Sequence, residues 1–340
     1  MVLMAANPSN DTSNCTFFNN EDFEIVAIVR ATVGSLSAAF CLLVIGMIVL
    51  YKKYRCFCQR LILYLAVAAF FHSLSYPLAR VNYYTPGDLL SPYCVFGGFF
   101  NLYTSWIEVL ALFCLTLNVF LNAVLDKWLT KLECVYVCLP YLLPLLWVWI
   151  PLVNSSFGNG EAWCDIRPVE KDCSRYTLGT ILRFALWYGP LCALCLIMLI
   201  AAIVAACQIK RDSKQWYTLH DPFTERKAQM LKKEVRPLLW YPVFYTILNT
   251  FSIINQINVA VVPAHSWIPL WYFHAFTSPF RGAAIVLAYA LDSDTRKRLS
   301  WVQLRMALYY CCRRDDITDY AVINNCSVSD SITPENLSRS

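Results

Sequence analysis

Seven long apolar stretches dominate the chain. They run roughly 25–51, 61–81, 94–125, 134–153, 178–207, 234–262 and 268–291. Each approaches or exceeds the ~20 residues that a helix needs to cross ~30 Å of hydrocarbon. Hydrophobic residues make up 58% of the 340 positions and charged residues 15%. A soluble domain has ~45–50% apolar and ~25% charged residues, so lipid must cover what one core cannot bury. The expected fold is an all-α membrane protein, a seven-transmembrane helix bundle. The net charge of +5 does not point to nucleic acid. The Lys and Arg residues sit between spans, and no basic stripe interleaved with aromatics stands apart.

Orientation follows from where positive charge falls. Lys52, Lys53, Arg55 and Arg60 fill the first loop, and Lys210, Arg211, Lys214, Arg226, Lys227, Lys232, Lys233 and Arg236 the fifth. Arg296, Lys297, Arg298, Arg305, Arg313 and Arg314 follow the last span. The opposite face is poor in basic residues, and its longest loop, 154–177, balances Arg167, Lys171 and Arg175 with four acids. The N-terminus is therefore expected outside the plasma membrane and the C-terminus in the cytoplasm. The segment 1–24 lacks an apolar core, so no cleavable signal peptide is expected. It reads as an extracellular tail with glycosylation sequons at Asn10 and Asn14. The bundle occupies 25–291.

Segment 292–312 reads as an interfacial amphipathic helix, the eighth. Arg296, Lys297, Arg298 and Arg305 meet headgroups, and Leu299, Trp301, Val302, Leu304, Met306 and Leu308 supply apolar area. Cys311 and Cys312 at its end are expected to be palmitoylated; the alternative is an ordinary cytosolic helix with two inert thiols. Residues 313–340 read as a disordered polar cytoplasmic tail. Cys15, Cys94, Cys164 and Cys173 lie on the expected outer face, where oxidation is permitted. Their spacing leaves three pairings open.

Charged groups inside spans are costly, and by default they mark function. Glu108 in span three and Arg281 in span seven fall at similar depth, so they are expected to pair, with His72 of span two joining them. Arg183 lies near the outer end of span five, and Arg30 and Arg80 near those of spans one and two. Snorkelling to the interface is the plainer expectation for these. If they face the bundle axis instead, they form a positive mouth suited to an anion. Asn258, Trp271 and His274 are further candidates for ligand contact, whereas Trp163, Trp267, Tyr83 and Tyr84 fit an interfacial aromatic belt. Prolines 77, 140, 144, 190, 242 and 279 punctuate the spans. Pro242, after Trp240 and Tyr241, predicts a kink from which the inner half of span six swings.

Several chemistries lack their residues. There is no phosphate-cradling Gly loop and no His-Glu-x-x-His, and the four histidines are scattered, a poor fit to a zinc site. No metal, cofactor or enzymatic activity is expected. Span seven has no Lys for a retinal Schiff base, and no internal repeat suggests a transporter.

The seven spans, the outer N-terminus, Cys94 at the top of span three and Cys164 in the second outer loop resemble a G protein-coupled receptor. The rhodopsin-like marks are missing: the inner end of span three reads Asn118-Val119-Phe120-Leu121-Asn122. Trp163-Cys164, Trp240-Tyr241-Pro242-x-x-Tyr245 and Arg281-Gly282 followed by Ala288-Tyr289 look closer to the cyclic-AMP-receptor-like group with its animal orphan relatives, and more distantly to the secretin/adhesion receptors. Arg281 stands where that pattern has Gln. The resemblance implies a Cys94–Cys164 disulfide that pins the loop over the bundle mouth. It also implies an extracellular ligand of unidentified nature and a heterotrimeric G protein at the inner face. The competing expectation is a seven-span channel or transporter that uses Glu108 and Arg281.

Overall fold

A computed structural model describes residues 20–83, 92–124, 133–159, 163–167, 177–219, 236–261 and 267–290. The glycosylation sequons, the eighth helix, the Cys311–Cys312 pair, the cytoplasmic tail and the side chain of Arg80 lie outside the described residues. Span one is α1, Asn20–Leu50; span two is α2, Phe57–Tyr83; span three is α3, Pro92–Val124. Span four is broken into α4, Glu133–Leu142, a 3-10 turn, Leu143–Leu146, and α5, Ile150–Val153. Span five joins α6, Thr177–Arg183, through a π-helical turn, Phe184–Tyr188, to α7, Gly189–Leu219. Span six is a 3-10 turn, Arg236–Leu239, leading into α8, Trp240–Val261, and span seven is α9, Ile268–Ala290.

Among the described residues, six of these helical spans are long and apolar enough to cross a membrane. Span seven is long enough but more polar, because His274, Thr277, Ser278 and Arg281 are all buried in it. Its polarity is turned inward and costs nothing toward lipid. The opposite pattern marks the outside of the bundle. Leu43, Leu146, Val153, Ile200 and Val261 are each at least 60% exposed, an apolar surface that only lipid or another protein can cover.

Span one packs on two and seven, two on three, three on four and five, five on six, and six on seven. Span three runs through the middle and is buried without interruption from Thr104 to Leu112. Glycine permits the closest approach. A Cβ on Gly282 of span seven would clash with Ser37 Oγ and stand 2.7 Å from Ser73 Oγ and 2.9 Å from Cys41 Sγ, so spans one, two and seven meet there. The N–H of Ala283, four residues after Pro279, donates to Ser37 Oγ across the same contact at 2.8 Å.

Proline explains the irregular helices. Pro144 opens the 3-10 turn that breaks span four. Pro190 has no N–H for the Leu186 carbonyl, and the Trp106 indole N–H of span three fills that vacancy at 3.1 Å. The Gly189 N–H meanwhile reaches back to the Phe184 carbonyl in the π-helical turn. Span five differs from the expectation at its far end. It runs past 207 to Leu219, because the apolar run stops there while good helix formers such as Gln208, Lys210 and Arg211 carry the helix on.

Between spans four and five, strands β1, Phe157–Asn159, and β2, Cys164–Ile166, form an antiparallel hairpin with Phe157 opposite Ile166. Cys164 is bonded to Cys94 of span three. One helical turn along, Gly98 lets the Phe157 ring approach span three, where a Cβ would stand 2.9 Å from it. This hairpin and its disulfide mark one end of the bundle, the disulfide end.

At the opposite end, Arg60 of span two makes a bidentate pair with Glu133, which opens span four, through Nε at 2.6 Å and Nη2 at 2.7 Å. The Tyr64 hydroxyl donates to the same carboxylate at 2.9 Å.

Candidate functional site

The middle of the bundle holds one polar network built from four spans. Glu108 lies midway along span three with its side chain 1% exposed. Its Oε2 accepts from His72 Nδ1 of span two at 2.7 Å. His72 Nε2 meets Ser105 Oγ at 2.8 Å, Arg281 Nη2 at 3.1 Å and the Tyr76 hydroxyl at 3.2 Å. Arg281 Nη2 also comes within 3.4 Å of Nδ1, but the Glu108 carboxylate at Nδ1 can only accept, which assigns the proton to Nδ1 and leaves Nε2 to accept from Arg281.

Arg281 is used along its whole fork. Nε donates to the Ser278 carbonyl at 2.9 Å, Nη1 to Asn249 Oδ1 at 3.0 Å and to the Tyr245 hydroxyl at 3.3 Å, and Nη2 also to the Tyr76 hydroxyl at 3.1 Å. Its nearest approach to Glu108 Oε2 is 3.8 Å, from Nε. Glu108 and Arg281 thus face each other as charges while His72 carries the hydrogen bonds between them. A buried charge pair is tolerable only when its remaining hydrogen-bonding capacity is met, and this one is surrounded by partners.

Toward the disulfide end the network borders a small polar cavity lined by Arg30, Tyr76, Trp163, Ser252, His274 and Arg281, among others. The room left for the centres of water-sized molecules is about 30 Å³, enough for about two waters. Arg30 is buried there, its guanidinium carbon 3.5 Å from the centre of the Trp163 ring and 4.9 Å from that of Tyr76. Trp163 also packs on Trp271 at 5.4 Å and edge-on to His274 at 5.2 Å. The disulfide beside Trp163 thereby holds an aromatic cover over the cavity.

The candidate ligand residues divide. His274 lines the cavity, and its Nδ1 lies 3.0 Å from Asn255 Nδ2. Trp271 stands behind Trp163 and is 1% exposed. Asn258 does not line the cavity, and its Nδ2 is buried without a partner among the described residues. Arg183 corrects the snorkelling expectation. It is 3% exposed, donates to the Ile166 carbonyl at 2.8 Å and to Gln256 Oε1 at 3.0 Å, and lies 4.0 Å from Asp165. It fastens the hairpin to spans five and six, because each of those carbonyl acceptors needs a donor once buried. Arg30, also expected at the interface, is only 7% exposed. Trp163 likewise belongs to the core rather than to an interfacial belt, whereas Trp267 is 61% exposed.

On span six, Trp240 faces outward and stacks on Phe244 at 5.8 Å, while Tyr241 and Pro242 are buried. Pro242 sits just past the junction of 3-10 and α geometry, where its missing N–H leaves the Leu238 carbonyl without an α-helical donor. Tyr76, Ser105 and Ser278 do not stand out from the sequence as site residues, Tyr245 enters only through the span-six segment it shares with Pro242, and Asn249 is one of the span-six amides expected to face other helices or a cavity. The signal was spacing: Ser105 precedes Glu108 by one turn, Ser278 precedes Arg281, and Tyr76 follows His72. In a lipid-spanning helix, a polar residue one turn from a buried charge lies on the same inward face, where it can join that charge's network.

No family model matches this chain, and no curated protein sequence matches it. Among solved structures, the chain is similar to squid rhodopsin, with a TM-score of 0.62 and 14% sequence identity over 92% of this chain and 95% of that one. The likeness shows a shared seven-helix membrane fold.

Proposed function

We propose that this protein is a receptor of the G protein-coupled kind, with no enzymatic activity of its own. It reads an extracellular ligand at the disulfide end and passes the signal through the bundle to a heterotrimeric G protein at the opposite end. The observation that carries this reading is the His72–Glu108–Arg281 network. It joins spans two, three, six and seven between the covered cavity and the far ends of spans three and six, so a change at the cavity can be carried through it. The fold shared with squid rhodopsin supports it. The Trp163-Cys164, Tyr241-Pro242-x-x-Tyr245 and Arg281-Gly282 segments favour the cyclic-AMP-receptor-like group within that class. In this reading the N-terminus is extracellular and carries glycans on Asn10 and Asn14. The tail is cytoplasmic, and acyl chains on Cys311 and Cys312 hold the eighth helix to the plasma membrane.

A channel or transporter that used Glu108 and Arg281 as a relay is the less favoured reading, because both charges are engaged by partners from neighbouring spans. The test is nucleotide exchange on purified G proteins by the chain in lipid nanodiscs, beside ion flux through the same chain in liposomes. Exchange above that of empty discs, without Glu108-dependent flux, is expected. Flux that Glu108→Gln abolishes, with no exchange on any G protein class, would replace the receptor with a channel.

A further inference from the structure

We infer that the cavity at the disulfide end is a binding site for a small carboxylate, with Arg30 as its anchor. The ligand role rests on the receptor reading above and names the chemical class that the receptor senses. Among the described residues, three guanidinium groups are buried around the middle and the disulfide half of the bundle, those of Arg30, Arg183 and Arg281. Arg281 faces Glu108 at 3.8 Å and spends its donors on the network. Arg183 is bonded to Ile166 and Gln256, and its Nη2, which makes no hydrogen bond among the described residues, still faces the Asp165 carboxylate at 4.0 Å. Arg30 faces aromatic rings, and its Nη1 is buried with no hydrogen-bond partner among the described residues.

Asp165 acts on Arg30 only through its charge, with no hydrogen bond between them among the described residues, so the Nη1 donor stays unsatisfied, and an acceptor that brings negative charge supplies the missing hydrogen bond. A second donor converges on the same space from across the bundle. Ser252 of span six lines the cavity, is 4% exposed, and its Oγ has no partner among the described residues. The planar guanidinium fork matches the two oxygens of a carboxylate. Asp165 also borders the cavity, but its Oδ1 already accepts from the Ile166 N–H at 2.8 Å, and its Oδ2 faces Arg183. With space for about two waters, the site takes a carboxylate head. Trp163, stacked on the Arg30 guanidinium, must shift for anything larger.

Acetate is the probe. The purified chain in detergent is heated in sodium acetate, in sodium chloride at equal ionic strength, and in acetamide with that chloride, while unfolding temperature and tryptophan emission are followed. Acetate should raise the unfolding temperature in a saturable way that chloride and acetamide do not match, with a change in emission from Trp163. Arg30→Gln should weaken the half-saturating acetate concentration by at least about tenfold, and Ser252→Ala should weaken it less. Octanoate acting at lower concentration than acetate, still through Arg30, also supports the site and assigns the carboxylate to an acid with an apolar tail. Equal responses to acetate and chloride would overturn the proposal. So would a wild-type acetate response in Ser252→Ala together with either an unchanged response or no folding in Arg30→Gln. No G protein is present, so this outcome is independent of nucleotide exchange, which decides the receptor reading.

Discussion

Glu108 and Asn118 lie ten residues apart on span three, about 15 Å along one helix, and both are buried. Around Glu108, each named polar neighbour has a partner drawn from another span. Asn118 is wholly buried and Asn122, one turn further, is 2% exposed, yet among the described residues neither amide makes a hydrogen bond through its oxygen or its nitrogen. The same helix therefore carries a satisfied polar half and an unsatisfied one. A buried polar group without a partner costs about 1–3 kcal/mol. Span three has reason to rearrange beyond Glu108: around Glu108 its polar contacts are made, and toward the opposite end Asn118 and Asn122 have contacts still to make. In the receptor reading, the second half is where span six swings from Pro242 and where the G protein enters.

The sharpest way to break the contrast is to spoil the satisfied half. Glu108→Ala leaves Arg281 as a buried charge without its carboxylate, and should cost about 3–5 kcal/mol, read as a fall in unfolding temperature of the purified chain. Adding Arg281→Ala should cost less than the sum of the two single changes, because the shared network is then lost only once. Additive losses would show that the two residues do not act together. Next in size is the seam between spans one, two and seven. Gly282→Val should drive those spans apart at Ser37 and Cys41 and cost about 1–3 kcal/mol, seen in the same unfolding measurement. The smallest change runs the other way. Asn118→Leu removes a buried amide that has no partner, so it should stabilise the chain by about 1 kcal/mol while lowering nucleotide exchange on the G protein. Loss of stability instead would mean that Asn118 has a partner in this state.

The bundle itself was legible because apolar run length is a direct consequence of hydrocarbon thickness. The seven stretches expected from the sequence match the seven helical spans closely at most ends, and Glu108 and Arg281 stood out because charge inside such runs is rare. Three things were not legible. The end of span five at Leu219 was missed because hydropathy stops at the membrane while the helix does not. Arg30 and Arg183 turn inward, the alternative to the plainer expectation of snorkelling, and Trp163 leaves the interfacial belt, because long side chains near a span end reach either lipid headgroups or a neighbouring loop, and only the hairpin's position decides which. The break in span four follows from Pro144, but a proline alone does not say whether a helix bends or changes its winding.

When the G protein binds, the two ends of the bundle should move by different amounts. Spin-labelled amino acids at 124 and 240 report on spans three and six at the opposite end, and a pair at 93 and 261 reports on them at the disulfide end; Tyr93, Trp240 and Val261 are exposed positions. Distances are measured in nanodiscs with and without nucleotide-free G protein. The 124–240 distance should lengthen by several ångströms while the 93–261 distance stays nearly constant. An unchanged 124–240 distance with the G protein bound, or equal movement at both ends, would contradict this expectation.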